Sequence, residues 1–521
     1  MEVVKKGKNG IISGAAWLAV SAIILKIIGL VYKVPMSYIL GDEGMGYFNS
    51  AYTVYTFFYI IGSAGIPKAV SILSAKSSEG EAKKIFQVIF KLYLFIGVIL
   101  SLILILFAPS LASLIGSKKA TVSIISIAPS VLFICASGVL RGYLNGKMKI
   151  YPIAVSELIG GFFKLFLGLF FGSYFARCGY SLPYVCAFSI LGITFGTFFG
   201  LIYLYLYYKR ESKKIKTAYG NNKDIIFSVF KLGIPITLAT AMGSIVNVID
   251  LAIIANALER AGYSETVGFV IYGNYTTLAV PMLGVVISLI NPIALASLPV
   301  ITRSFSDREY KETETAIYSS MKLSLFVGAP AFVLFLFFSH ETLSAIFENS
   351  SAVLGAPFLC VLSPSVLFYA VLSAANTVLE GIGRVKLAVI SLFAGSIIKC
   401  IVSFVTIGMS EIGALGAPIG TCASYLASML ISMWFIHKEG GINVKILKPI
   451  SLPLFISICA ALSTIAIKTF FINFSSQRLI GLMTVVIYGI FYIAYSFFVL
   501  FWGNKRCNLL SKYTKKKLGD Y

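Results

Sequence analysis

Five charged residues inside long apolar runs are the positions in this sequence best suited to chemistry: Lys26, Glu157, Lys164, Asp250 and Lys399. An unpaired charge in hydrocarbon costs between about 2.5 and 10 kcal/mol, so we expect these side chains to face a wet cavity or one another. Glu157 and Lys164 share one helix face, about 10.5 Å apart along the axis, which is too far for direct contact. Ammonium and carboxylate groups in such a cavity would bind a charged solute electrostatically.

Each of these residues also has a purely structural interpretation. A lysine near a helix end can extend its stem along lipid and keep its ammonium at the headgroups. We expect this of Lys33, and the same interpretation stays open for Lys26, Lys164 and Lys399. Either acid could equally be paired to a neighbouring lysine for helix packing alone.

Catalytic and metal-binding patterns are missing from the sequence. Its two histidines, His340 and His437, stand at the ends of apolar runs, and its eight cysteines show no CxxC or Cys/His ligand spacing. No nucleophile elbow, zinc-protease or P-loop pattern is present. We therefore predict a protein that is not an enzyme and that uses no metal or cofactor, with cysteines that serve as core packing.

The elements that must position the charges are membrane helices. Hydrophobic residues make up 58% of the 521 residues and charged residues only 12%, which is far from the soluble average. An apolar segment of about 20 residues crosses the hydrocarbon core as a helix. The sequence predicts an all-α polytopic protein with fourteen spans: 11–32, 47–73, 86–108, 121–140, 150–172, 181–207, 225–256, 266–300, 317–339, 352–379, 387–409, 412–436, 449–472 and 479–502.

The distribution of basic residues predicts the orientation of these spans. Most Lys and Arg residues fall at the two termini and in the even-numbered loops, for example at 209–216, and basic loops stay cytoplasmic. We expect a multi-pass protein of the cell membrane with both termini in the cytoplasm and with a retained first span. The net charge of +22 then reflects this asymmetry and contact with anionic membrane lipids, so no nucleic-acid partner is expected.

Internal repeats divide the chain into two halves. KLYLFIG at 91–97 returns as KLSLFVG at 322–328, and GGFFK at 160–164 returns as GSIIK at 395–399. LRGYLNGK, which contains Arg141, also resembles LEGIGRVK, which contains Glu380, and this match requires a four-residue deletion before GSIIK. Arg141 and Glu380 are then interpreted as charges at the loop surface.

The repeat predicts two six-helix bundles related by a two-fold axis along the membrane normal, followed by two further helices. The corresponding segments are residues 1–216, 217–440 and 441–521. In this arrangement Lys164 and Lys399 occupy matching positions on opposite walls of a central cleft, which is typical of transporters that work by alternating access.

Several stretches resemble one known group of transporters. They are GAAWLAVSAIILKIIGLVYKVPMSYILGDEGMGYFNSAYTVY, GSAGIPKAVSILSAK, YPIAVSELIGGFFK and NVIDLAIIANAL. These stretches make the chain similar to the stage V sporulation protein B type of polysaccharide transporter. That group belongs to the multidrug/oligosaccharidyl-lipid/polysaccharide exporter superfamily, which includes the lipid II flippases. The resemblance implies a flippase that moves an undecaprenyl-diphosphate-linked peptidoglycan precursor to the outer leaflet for cell wall or spore cortex.

The resemblance is incomplete at charged positions. Lys26 matches a basic residue of the lipid II flippases, whereas their following arginine-aspartate step falls on Tyr32 and Lys33 here. Span 8 has no charge where those proteins have some, and Pro281 and Pro292 are expected to bend it. A multidrug or cation antiporter of the same superfamily and a membrane-embedded enzyme therefore remain alternatives.

The lipid-linked substrate predicts a role for the intramembrane charges. A diphosphate headgroup cannot cross hydrocarbon alone, and lysines bind phosphate as point charges that can load and release it. We expect Lys26, Lys164 and Lys399 to receive the diphosphate together. Membrane potential acting on these lysines, or an unidentified coupling ion at Asp250 or Glu157, could drive the cycle.

Overall fold

The computed structural model describes the backbone of residues 2–518, except 117, 214, 219–220, 261, 263, 410–411, 442–446 and 472–475. Within these helices, side chains are not described at 2–20, 22–23, 26, 30, 238–239, 241–247, 249–250, 253, 255, 257–258, 265, 447, 470–471 and 500–518. All secondary structure in the described ranges is helical, because backbone polar groups in an apolar segment must be satisfied within the segment. The all-α prediction is confirmed.

Ten α-helices cover the first half of the chain: α1 Glu2–Ser63, α2 Gly65–Lys76, α3 Glu79–Leu106, α4 Ala108–Leu114, α5 Thr121–Ile127, α6 Pro129–Gly146, α7 Tyr151–Arg177, α8 Leu182–Ser212, α9 Asn222–Arg260 and α10 Glu265–Asn274. Ten more follow: α11 Val280–Ala296, α12 Leu298–Ser306, α13 Tyr310–Phe337, α14 Ser339–Ser344, α15 Asn349–Leu362, α16 Pro364–Gly381, α17 Val385–Ile407, α18 Gly416–Gly440, α19 Leu447–Phe471 and α20 Gln477–Leu518. Short 3₁₀ turns precede α5 and α18, and a π-helical turn at Tyr275–Ala279 joins α10 to α11.

Two breaks in these helices follow from single residues. Gly41 has φ 62° and ψ −177° inside α1, a conformation open to glycine, and it separates the first predicted span from the second. The π-helical turn ends directly before Pro281, whose ring lacks an N–H and would clash with the carbonyl of Thr277 in a regular α-helix. The first proline of span 8 is therefore accompanied by a π-helical turn, and the expected bend of the span stays a prediction.

Thirteen of the fourteen predicted spans lie on one described helix or on a pair of adjacent helices, and span 8 lies on α10, α11 and α12 with the π-helical turn between the first two. Counted by length and apolar composition over the described residues, however, eleven helices qualify, or twelve with the bent pair Asn349–Leu362 and Pro364–Gly381. The count is lower because Ile27–Lys76 runs through two predicted spans as one element. In addition, α9 carries the seventh predicted span but is not among the eleven.

Contacts between Cα atoms divide the chain into two compact units. The first contains residues 1–277 and 407–413, and the second contains residues 278–406 and 414–521. The first unit extends past residue 216 because α9 and α10 pack on α1 and α2: a Cβ at Gly46 would lie 2.2 Å from the carbonyl oxygen of Phe269. The division at 216 and 440 groups helices by repeat, not by contact, and it stays a prediction.

Helices α7 and α8 of the first unit pack closely on each other. A Cβ at Gly196 would lie 2.4 Å from the carbonyl oxygen of Gly160, and one at Gly192 would lie 2.9 Å from that of Lys164. Distances this short leave no room for a side chain, so the backbones of the two helices touch. Small residues at this spacing are the usual means of tight helix packing in membranes.

Equivalent contacts occur inside the second unit, between α17 and α18. A Cβ at Gly420 would lie 3.1 Å from the carbonyl oxygen of Lys399, and one at Gly395 would lie 2.6 Å from that of Ser424. The serines eight residues before each lysine, Ser156 and Ser391, are both buried. The match of GGFFK to GSIIK is thus supported by packing as well as by sequence.

The match of LRGYLNGK to LEGIGRVK is wrong by one helical turn. Helices α6 and α16 have the same length and both begin at a proline and end at a glycine, which aligns Gly146 with Gly381. This alignment has the same offset as that of Lys164 with Lys399, so no deletion is needed. Arg141 then corresponds to Asn376 and not to Glu380.

The last two helices pack on α13 within the second unit. Val333, Phe338, Ala460, Ala461 and Tyr488 form a buried apolar cluster among them. The Tyr488 hydroxyl donates to the carbonyl oxygen of Pro330 at 3.0 Å. The Tyr492 hydroxyl donates at 2.7 Å to the carbonyl oxygen of Phe326, which lacks a helical donor because Pro330 has no N–H.

Candidate functional site

A cavity of about 290 Å³ lies inside the first unit, among α1, α6, α7 and α8. Its wall includes three of the charged side chains in the apolar helices, Arg141, Glu157 and Lys164. Tyrosines of α1 and glycines of α7 and α8 form much of the remainder. The prediction that intramembrane charges face a cavity therefore describes both Glu157 and Lys164.

The charged end of the cavity holds an ion pair between α6 and α7. Nη1 of Arg141 donates to Oε1 of Glu157 at 3.1 Å, and the two side chains are 25% and 31% exposed. The expectation that Glu157 pairs with a lysine is wrong, because its ion pair is formed with the guanidinium of Arg141 on the preceding helix. Nε of Arg141 is buried and makes no hydrogen bond in the described part of the chain.

Lys164 lies seven residues after Glu157 on α7, about two helical turns further along, and contacts aromatic rings. Its Nζ is 5.0 Å from the ring centroid of Tyr52 and 5.2 Å from that of Tyr32. A cation at this distance over a ring is attracted by the ring quadrupole, by about 0.5–2 kcal/mol. The two tyrosines thus hold the ammonium at the cavity wall, half-buried, without neutralising its charge.

Lys33 does not reach the headgroups as expected. Its Nζ donates to the carbonyl oxygen of Thr276 at 3.4 Å, inside the π-helical turn. Asn49 joins the same region, with Nδ2 donating to Oγ1 of Thr277 at 2.6 Å. Pro281 has no N–H to donate to a carbonyl of this turn, so the carbonyl oxygen of Thr276 accepts from Lys33 instead.

The other predicted site residues are placed less completely. The side chains of Lys26 and Asp250 lie outside the described residues, although their backbones belong to α1 and α9. Leu25, next to Lys26, lines the cavity. Lys399 lies on α17 in the second unit, where it is half-buried and interacts with other groups. A shared site of Lys26, Lys164 and Lys399 stays a prediction.

Sequence reasoning missed Arg141, which it assigned to the loop surface. A usable signal was present, since Arg141 is five residues before the end of α6 and Glu157 is six residues after the start of α7. Positions at equal distance from a short connection between antiparallel helices lie at the same depth. Opposite charges at such positions predict an ion pair.

The second unit does not repeat this pair. The counterparts of Arg141 and Glu157 are Asn376 and Leu392, and Oδ1 of Asn376 accepts a hydrogen bond from Ser432 at 2.9 Å. Asn291 of α11 is likewise engaged, accepting from Tyr369 at 2.8 Å. The two halves therefore share a packing pattern, while the Arg–Glu pair is specific to the first.

Among the side chains that the structure describes, the wall of the cavity has more positive than negative charge. Arg141 and Lys164 contribute two cations and Glu157 contributes one carboxylate. In a site with little water such an excess favours anions. The arrangement can hold a negatively charged group, with the tyrosine and glycine surfaces available for uncharged parts of a ligand.

Comparison with family models finds two matches. Residues 11–305 match the model described as polysaccharide biosynthesis protein, and residues 276–405 match the model described as MatE. The first match alone covers more than half of the chain.

Curated proteins of Bacillus subtilis (strain 168) are similar over nearly the full length. The lipid II flippase MurJ is 26% identical over 517 residues, covering 92% of this chain and 92% of that protein. Stage V sporulation protein B is 24% identical over 486 residues, covering 91% and 92%.

Solved structures are similar in fold. An inward-facing multidrug resistance MATE family transporter of the MOP superfamily has a TM-score of 0.68 at 15% identity, covering 82% of this chain and 98% of that chain. Lipid II flippase MurJ in an inward closed conformation has a TM-score of 0.66 at 15% identity, covering 94% and 99%.

Proposed function

We propose that this chain, which belongs to the polysaccharide biosynthesis protein family, is a flippase for an anionic undecaprenyl-diphosphate-linked saccharide. It has the fold of the MOP superfamily. Solved structures of a multidrug transporter of that superfamily and of a lipid II flippase are similar to it. The substrate would be a peptidoglycan precursor such as lipid II, serving cell wall or spore cortex, as the names of the two Bacillus relatives suggest. Transport would be from the cytoplasmic to the outer leaflet of a bacterial cell membrane, by alternating access.

The observation that carries this proposal is the positive cavity inside apolar helices. Nζ of Lys164 lies at the wall over Tyr52 and Tyr32 and forms no ion pair with a carboxylate of the residues whose side chains are described. A site built for an anion supports a diphosphate substrate, because the dianion needs compensating charge to leave the headgroup region. Lys26 and Lys399 would complete the set of lysines that receive it.

A cation antiporter is the second candidate, favoured by the MatE match over residues 276–405. A cation site would need carboxylates in excess, whereas the carboxylate of Glu157 is already held by Arg141. Glu157 is for the same reason poorly suited to bind a coupling ion, and Asp250 is the acid that we propose for one. Membrane potential acting on cavity lysines, about 2.3 kcal/mol per charge per 100 mV, would be an alternative driving force.

Reconstitution of the purified protein in liposomes tests the proposal. The probes are a fluorescent polyprenyl-diphosphate saccharide, whose exposure is followed by dithionite quenching, and an organic cation such as ethidium. We expect movement of the saccharide lipid above the rate of protein-free liposomes and no movement of the cation. Movement of ethidium without movement of the saccharide lipid would establish the antiporter instead.

A further inference from the structure

Three tyrosines of α1 form a continuous aromatic surface in the cavity. Tyr52, Tyr55 and Tyr59 stand three and four residues apart, which places them on one helix face, and all three line the cavity. The ring centroids of Tyr52 and Tyr55 are 5.5 Å apart, and those of Tyr55 and Tyr59 are 5.9 Å apart. Tyr55 is buried between its half-buried neighbours, which fixes the orientation of the row.

Bare backbone forms another part of the wall. Gly160 and Gly161 of α7 and Gly196 and Gly200 of α8 all line the cavity. The tight contact between these two helices, described above for Gly196 and Gly160, requires glycine there. A ligand can therefore approach the backbone closely on this side, since no side chain projects from these positions.

The aromatic row leads directly to the charged groups. Nζ of Lys164 is 5.0 Å from the ring centroid of Tyr52, so the ring at one end of the row also contacts the cation. The paired Arg141 and Glu157 lie on the same wall, with Nε of Arg141 as a buried donor that has no acceptor in the described part of the chain. A ligand with one apolar face, hydroxyl groups and an anionic end matches these three features together.

The size of the cavity suits a ligand of one ring. A volume of about 290 Å³ is close to the lower end of the roughly 300–1,000 Å³ that small-molecule sites occupy. A single pyranose with an attached phosphate is a ligand of this size. The CH face of a pyranose is apolar and stacks on aromatic rings, and its hydroxyls donate to carboxylates such as that of Glu157.

We infer that this cavity binds the sugar that carries the phosphate, as a pyranose 1-phosphate unit. The ring would stack on Tyr52, Tyr55 and Tyr59 against the glycine wall, and the phosphate would lie between Lys164 and Arg141. The inference rests on the proposed flippase function and specifies which part of its substrate is recognised. Selectivity would then come from the first sugar, with the remainder of the glycan outside this cavity.

Calorimetric titration of the full-length protein in nanodiscs tests the inference with soluble probes. The probes are N-acetylglucosamine 1-phosphate and inorganic phosphate, and the variants are Tyr59→Leu and Tyr59→Phe. We expect the wild type to bind the sugar phosphate at least about fivefold more tightly than phosphate, the gain that ring stacking supplies. Tyr59→Leu should remove this preference while phosphate affinity is kept, and Tyr59→Phe should retain it.

A matched control is Tyr174→Leu, which removes an exposed tyrosine of α7 outside the cavity wall and should leave both affinities unchanged. Equal affinity of the wild type for both probes would overturn the inference, as would an equal loss of both in Tyr59→Leu. Thermal unfolding of each variant identifies any that fail to fold. If Tyr59→Leu does not fold, the wild-type preference for the sugar phosphate over phosphate decides the inference.

The outcome is separable from that of the flippase proposal. If the sugar preference is found but liposomes containing the wild type do not move the lipid-linked saccharide, the subsite stands and the flippase proposal fails. If the lipid is moved but Tyr59→Leu keeps the sugar preference, the flippase proposal stands and the tyrosine subsite is wrong.

Discussion

Arg141 of α6 and Glu157 of α7 are joined by a 3.1 Å hydrogen-bonded ion pair at the wall of the cavity in the first unit. The pair links two helices that are adjacent in sequence and fixes a guanidinium inside an apolar bundle. Its carboxylate compensates one of the two cations that the described side chains contribute to the wall, and Lys164 supplies the other.

Replacing one partner of this ion pair should lower the free energy of unfolding more than replacing both partners. Arg141→Gln or Glu157→Gln leaves one partly buried charge without its partner, and we expect a loss of about 1–3 kcal/mol in the free energy of unfolding. The double variant should lose less than the sum of the two single losses. Thermal unfolding in detergent measures all four proteins, and strictly additive losses would show that the two residues are not coupled.

The contact between α7 and α8 predicts a strong effect of one added methyl group. Gly196→Ala would place its Cβ 2.4 Å from the carbonyl oxygen of Gly160 and push the helices apart, at a cost of about 1–3 kcal/mol. Gly284→Ala is the control, because no atom lies within 4 Å of the added Cβ there. The unfolding temperature should fall clearly for Gly196→Ala alone, and equal behaviour of the two variants would contradict the packing described.

Lys33 should matter for stability, contrary to its expected position at the headgroups. Lys33→Met removes the donor to the carbonyl of Thr276, and we expect a loss of about 1 kcal/mol. The comparison is Lys91→Met, which changes an exposed lysine of α3. Differential scanning fluorimetry of both variants checks this, and an unchanged transition for Lys33→Met would restore the headgroup interpretation.

The predicted orientation can be tested with one native cysteine. Cys178 is exposed directly after α7, on a loop that the charge distribution places outside. In a variant that keeps only Cys178, an impermeant maleimide should label intact cells. With Cys178 also replaced, Lys213→Cys should react only after the membrane is permeabilised. Labelling of Lys213→Cys in intact cells would reverse the orientation.

Sequence reasoning located the helices well because the cost of exposing backbone to lipid leaves few alternatives. It also predicted that Glu157 and Lys164 face a cavity, since charge inside an apolar run has few other places to go, and both line the cavity of the first unit. The expected cleft between the two halves stays a prediction. The partner of Glu157 was not predicted, because charges near helix ends are usually surface groups and Arg141 lies near the end of α6.

The remaining differences come from packing, which the order of residues does not display. Lys33 donates to a carbonyl that becomes available only because Pro281 forces a π-helical turn. The register of the repeat between α6 and α16 became clear from the shared helix ends at Gly146 and Gly381, whereas similar short motifs favoured a match one turn away.

The charge of Lys164 provides the most direct test of the flippase account. The measurement is the rate at which a fluorescent polyprenyl-diphosphate saccharide crosses liposomes that contain the wild type, Lys164→Gln or Lys164→Glu, with Lys91→Glu as a control away from the cavity. We expect Lys164→Gln to be slower by about tenfold, because a hydrogen bond to a charged group is lost, and Lys164→Glu to be inactive. Lys91→Glu should match the wild type. Wild-type rates for both Lys164 variants would contradict the claim that this lysine receives the diphosphate.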